Sequence, residues 1–255
     1  MMSDRLKGKT AVVTGAGSGM GRVIAQLFAS EGAQIAVLDV SEDSMRETVS
    51  LIEADGGVAR AYQADISNAA SVEHVRQQIV ADFGQVTTLI NNAGIFDNNS
   101  SLTETDEAVW DRVIAVDLKG IFLMCKAFMP HLQDAHNATI VNTASIAGLV
   151  ANGGGIAYTA AKHGVIGVTK SIAADYGPAV RVNAVCPGLV RTPQTEYIWA
   201  DGFGAESKVA FLATTPAKRH AECEEIARAV LFLASADSSF VYGHSLLVDG
   251  GWTVS

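Results

Sequence analysis

Tyr158 and Lys162, four positions apart, are the most reactive pairing in the chain. On a helix that spacing turns both side chains toward one cleft. A phenol, with an ordinary pKa of about 10, is a poor base at neutral pH. A neighbouring ammonium favours the phenolate and would lower that value. Ser145 follows a short apolar run and can donate a hydrogen bond to a developing alkoxide. Together the three suit proton transfer at an oxygen, with polarisation of that oxygen. The spacing is common by chance, so on its own it leaves a merely packed helix face as the alternative.

A second constellation is Thr14-Gly15-Ala16-Gly17-Ser18-Gly19-Met20-Gly21, placed directly after the apolar run Thr10 to Val13. Glycines there permit a tight turn and close approach of backbone N–H groups to a pyrophosphate, which the following helix N-terminus also favours. Asp39 closes the next apolar run, 18 positions after Gly21. Its carboxylate can accept from adenosine ribose hydroxyls and would repel a 2′-phosphate. Neither Ser18 nor Val40 could supply a guanidinium to that phosphate, so the expected cofactor is NAD. A helix cap near Ser41 is the other reading of Asp39. Asp65 can accept from an adenine amino group with Ile66 against the ring, or it caps the helix beginning near Asn68. Asn91-Asn92-Ala93-Gly94 suits a crowded strand end that admits a cofactor, or a simple turn.

The elements that must position these groups alternate regularly. Strand-like runs are read at 10–13, 34–38, 58–62, 87–90, 139–142, 181–185 and 244–248. Helical spacing is read at 20–30, 42–54, 69–82, 106–131, 156–176 and 222–235, with Pro130 marking a frayed end. This predicts a single-domain α/β Rossmann fold over residues 1–255: a doubly wound, mostly parallel, seven-stranded sheet with helices on both faces. Residues 188–221 break the rhythm after a strand end, where such sheets bind ligands, and read as a substrate-binding loop or lid.

Composition narrows the partners. With 255 residues, 49 % hydrophobic and 18 % charged, the chain is ordinary globular material. Its formal charge of −9 argues against nucleic acid and acidic membranes as partners. No apolar run approaches the roughly 20 residues of a membrane span, and no hydrophobic signal segment opens the chain. Cys125, Cys186 and Cys223 form no CxxC pair and read as reduced packing residues, which together places the protein in the cytoplasm. The six histidines include no HExxH, so no metal is expected.

Over essentially its whole length the chain resembles the classical short-chain dehydrogenase/reductase family. The resemblance rests on the Thr14–Gly21 turn, Asp65, Asn91-Asn92-Ala93-Gly94, Ser145, Tyr158-Thr159-Ala160-Ala161-Lys162, Pro187-Gly188 and Val248-Asp249-Gly250-Gly251. It implies an oxidoreductase moving a hydride between NAD(H) and a secondary alcohol or ketone. Tyr158 would be the acid/base, and Ser145 would orient the substrate oxygen. Lys162 would hold the nicotinamide ribose and lower the Tyr158 pKa. Asn91, Ala93 and Gly94 would line the cofactor site, and Val190 and Thr192 would meet the carboxamide. A homotetramer or homodimer is implied as well. One position departs from the pattern: Asp117 stands where the family usually carries asparagine, so its carboxylate would hold Lys162 or perturb its pKa.

Candidate substrate contacts are Phe96, Ser145, Ile146, Leu149, Asn152, Tyr158, Tyr197, Trp199, Phe203 and Phe211. This largely apolar and aromatic set suits a hydrophobic or cyclic small-molecule alcohol or ketone. A 3-oxoacyl thioester reductase, a polyol dehydrogenase and a non-catalytic nucleotide-sensing protein are the alternatives.

Overall fold

The computed structural model describes residues 4–151, 153–198, 213 and 215–254. Seven strands form one sheet: β1 (Thr10–Thr14), β2 (Gln34–Asp39), β3 (Val58–Gln63), β4 (Thr88–Asn91), β5 (Ala138–Thr143), β6 (Val180–Pro187) and β7 (Ser245–Val248). Every pairing is parallel and the order is β3-β2-β1-β4-β5-β6-β7. β1, β4, β5 and β6 are buried along their whole length, which is why they read as apolar runs without alternation.

Helices cover both faces and make two separate cores. On one face α1 (Gly19–Ser30), α2 (Glu42–Ala54) and α7 (Cys223–Ala234) bury Ile24, Phe28, Met45, Ile226 and Leu231. On the other, α3 (Ala69–Phe83), α5 (Gly120–Gln133) and α6 (Ile156–Tyr176) bury Val75, Ile79, Met124, Phe128 and Val165. The predicted single helix over 106–131 is instead three pieces: α4 (Glu107–Val113), a π-helical turn (Ile114–Lys119) and α5. The wide turn inserts one extra residue per hydrogen-bonded ring, and it carries Asp117. Pro130 lies inside α5, which continues to Gln133.

The strand order reverses between β1 and β4, so their carboxyl ends, Thr14 and Asn91, frame the crevice where such sheets take a ligand. Near this crevice Gly21 is held against the Gly15 carbonyl; a Cβ on Gly21 would lie 2.1 Å from that oxygen. The glycine turn is thus packed as tightly as α1 and β1 allow.

Candidate active site

A groove of about 900 Å³ opens at the switch point. Of the predicted cofactor residues, Gly15, Ser18, Gly19, Met20, Asp39, Asp65, Ile66, Ala93, Gly94 and Thr192 line it. Ser18 precedes α1 in extended backbone and its hydroxyl makes no cap bond, so the first N–H groups of α1 remain available to an anion. Asp39 does not simply cap α2. One oxygen accepts from Val40 N (2.8 Å) and Ser41 N (3.1 Å); the other accepts from Gly17 N at 2.9 Å. It therefore ties the glycine turn to β2 while its carboxylate lines the groove. Asp65 accepts from the amide and hydroxyl of Ser67, and Asn68, not Asp65, caps α3. A long groove with an uncapped helix N-terminus at its wall and a carboxylate at the next strand end fits a dinucleotide.

Besides Tyr158 and Lys162, six predicted cofactor residues do not line the groove. The Asn91 side chain points into the core, donating to Asn142 at 2.8 Å and to the Cys125 sulfur at 3.3 Å. Asn91 ends β4, and the strand's alternation turns its side chain away from the groove. Its neighbour Asn92, the other amide of that motif, lines the groove and donates to the Thr14 carbonyl at 3.1 Å. Pro187, Gly188 and Val190 form the exit of β6. There Gly188 N bonds Val248 O (3.0 Å), and Val190 is buried and bridges to Ala221. Gly17 and Gly21 shape the turn from behind.

Lys162, Tyr158 and Ser145 lie past the Gly94–Phe96 end of the groove. Lys162, 3 % exposed, donates to the Thr143 carbonyl at 3.0 Å and sits 3.1 Å from Asp117, which is fully buried. The second Asp117 oxygen accepts from Ile95 N at 2.8 Å. Gly94 lies against this pair: a Cβ there would come 2.8 Å from the Asp117 carboxylate and 3.4 Å from the ammonium. Burial opposes the Lys162 charge, but Asp117 and Tyr158 outweigh it and hold its pKa above the ordinary lysine value. Burial pushes Asp117 up, with Lys162 and the Ile95 amide pulling back.

Tyr158 is half-buried, with the Lys162 ammonium 5.3 Å from its ring centre and the Phe96 ring packed edge-on at 5.0 Å. The expected lowering of its pKa by Lys162 is present but is not the net result. Burial raises the phenol first, Lys162 and Ser145 lower it, and Asp117 and Asp97 raise it again, leaving it above the ordinary tyrosine value. Ser145 is buried, just beyond β5, and its oxygen also accepts from Ala147 N at 3.1 Å. Burial pushes the nearby Cys186 thiol up to about 11, which marks it as packing.

Among the substrate candidates, Phe96 and Tyr158 meet at the groove end, Leu149 is exposed, and Ile146 is buried at 4 % exposure. Asn152, Trp199, Phe203 and Phe211, and the side chain of Tyr197, lie outside the described residues. The described ends of segment 188–221 meet: Ala221 N donates to Leu189 O (2.9 Å) and Arg191 N donates to Ala221 O (3.0 Å).

Known proteins agree with this geometry. A family model described as enoyl-(acyl carrier protein) reductase matches residues 15–253. The 2-(S)-hydroxypropyl-CoM dehydrogenase 3 of Xanthobacter autotrophicus is 39 % identical over 99 % of both chains. The 3-oxoacyl-acyl-carrier-protein reductase of Thermotoga maritima is 36 % identical over 98 % of this chain and 100 % of that one. A crystal structure of a putative 2-deoxy-D-gluconate 3-dehydrogenase from Agrobacterium tumefaciens with bound NADP superposes with a TM-score of 0.90, at 35 % identity and full coverage of both chains. The chain belongs to the short-chain dehydrogenase/reductase family. It is an oxidoreductase of alcohols and ketones that uses a nicotinamide cofactor.

Asp117→Ala strands the Lys162 charge and the Ile95 amide, and should lower stability by roughly 3–5 kcal/mol. Asp117→Asn keeps one of the two accepting oxygens and should cost clearly less. Urea unfolding of the two variants measures the difference; equal losses would remove the ion pair from the account.

Proposed function

We propose that the chain is an NAD-dependent dehydrogenase of secondary alcohols, with a hydrophobic or cyclic substrate. The observation that carries this reading is the buried group in which Lys162, anchored by Asp117 and the Thr143 carbonyl, lies beside the Tyr158 phenol and Ser145. In the oxidative direction Tyr158 takes the hydroxyl proton, while Ser145 donates to the substrate oxygen and fixes it. Lys162 supplies the positive charge that steadies the phenolate, and it holds the nicotinamide ribose. Asp117 keeps Lys162 in place and charged. The bound nicotinamide supplies the hydride acceptor, or the donor in reduction.

NAD is favoured over NADP because Asp39 lines the groove, where its charge opposes a 2′-phosphate. Asp65 and Ile66 flank the adenine end, and Thr192 the nicotinamide end. Segment 188–221 serves as the substrate loop, supported by its closed neck at Leu189, Arg191 and Ala221. The edge position of Phe96 on Tyr158 and the exposed Leu149 favour an apolar ligand surface. A homotetramer or homodimer is supported by the exposed Phe240 and Val254, which flank β7 in the chain, and a cytoplasmic setting by three unpaired cysteines.

Three outcomes are expected. NADH formation from a panel of cyclohexanol, 1-phenylethanol, 2-butanol, D-threitol and a 3-hydroxybutyryl thioester should favour the ring alcohols. Tyr158→Phe should lose about 10²–10⁴-fold in kcat while binding NADH normally; a variant with near-normal turnover would defeat the acid/base role. Asp39→Asn should narrow the NAD/NADP preference in kcat/KM by at least about tenfold, since a like charge facing a phosphate costs several kcal/mol. An unchanged ratio would remove Asp39 as the selector.

A further inference from the structure

Asp97 is fully buried, yet among the described residues no cation lies within ion-pair distance of it. A buried carboxylate in that state is costly unless hydrogen bonds compensate it. Here the compensation comes from one place, the start of α6. One Asp97 oxygen accepts from Gly155 N and the other from Tyr158 N, both at 2.9 Å. Ile156 N bonds Ser100 O at 3.3 Å, and the Ser100 hydroxyl returns to the Asp97 carbonyl at 2.9 Å. Loop 97–100 therefore meets three of the N–H groups that a helix start leaves without internal partners.

This cap is supplied from across the fold because α6 cannot supply it. Gly155 stands in the N-cap position and has no side chain to give. Nor could it acquire one, since a Cβ on Gly155 would lie 2.5 Å from both Asp97 oxygens. The loop is bent to reach the helix by consecutive left-handed asparagines, Asn98 (φ 57°) and Asn99 (φ 59°), a conformation asparagine tolerates better than most residues. The residue before Asp97 acts on the same target: Phe96 packs edge-on against the Tyr158 ring. Adjacent residues thus grip one side chain twice, Phe96 at the ring and Asp97 at the backbone N–H.

We infer that Asp97 is a positioning residue for Tyr158, fixing its backbone so that the phenol meets the substrate oxygen. The inference rests on the reading of Tyr158 as acid/base. Sub-ångström placement of a proton-transfer group is worth orders of magnitude in rate, so a cap of this kind acts on turnover more than on cofactor affinity.

The test uses the NADH-bound protein and, for turnover, cyclohexanol or the best alcohol of the panel. Asp97→Ala should lower kcat by about 10–100-fold, with NADH affinity within about twofold of wild type. Asp97→Asn, which keeps one accepting oxygen, should recover much of that loss. In a Tyr158→Phe background Asp97→Ala should cost almost nothing further, because the group it positions is gone. Hydrogen exchange, which needs no substrate, should show the Tyr158 amide losing protection in Asp97→Ala while β5 and β6 keep theirs. Losses that multiply in the Tyr158→Phe background, or an unchanged Tyr158 amide, would overturn the inference. Wild-type kcat in both Asp97 variants beside an inactive Tyr158→Phe would overturn it while leaving the acid/base reading intact. Turnover in Tyr158→Phe itself would bring down that reading instead.

Discussion

A buried ammonium has to be held by something, and much of this site follows from how Lys162 is held. At 3 % exposure it keeps its charge only because a carbonyl and a carboxylate replace the lost water. The carbonyl, Thr143, fixes where β5 must end. The carboxylate, Asp117, comes from the π-helical turn between α4 and α5, which packs against α6. Gly94 must stay without a side chain because the ion pair occupies the space a Cβ would need. Strand end, helix defect and glycine are three consequences of one charge.

The same charge acts on the Tyr158 phenol beside it. Proximity of an ammonium is usually read as a sufficient reason for a low phenol pKa. In this chain Lys162 is largely neutralised by Asp117, Asp97 adds a second negative charge, and burial penalises the phenolate. The phenol consequently lies above its ordinary value. Asp117 thus shifts the balance toward a firmly seated lysine and a less acidic tyrosine.

The lining of the groove was largely legible because it is written locally. A glycine turn between a strand and a helix, and an acid at the next strand end, need only chain order to be placed, and Ser18 to Met20 and Asp39 fall on the groove accordingly. Asn91 illustrates the limit: choosing between adjacent asparagines requires knowing which way the last residue of β4 points. The π-helical turn was illegible because its residues have ordinary helical composition; only the helix packed against it reveals the extra residue. Asp97 was illegible for a stronger reason, since a cap supplied from 58 positions away leaves no mark in the sequence around Gly155.

The most direct test of this account is the titration of Lys162 itself, followed by NMR at its ε-carbon in protein carrying labelled lysine, with Lys162→Met to assign the signal. An ion pair anchored as described predicts an ammonium that persists through neutral pH and titrates above the ordinary lysine range. A Lys162 that loses its proton near neutrality would mean that Asp117 and Lys162 share one proton as a neutral pair, and the charge on which the site is built would be absent.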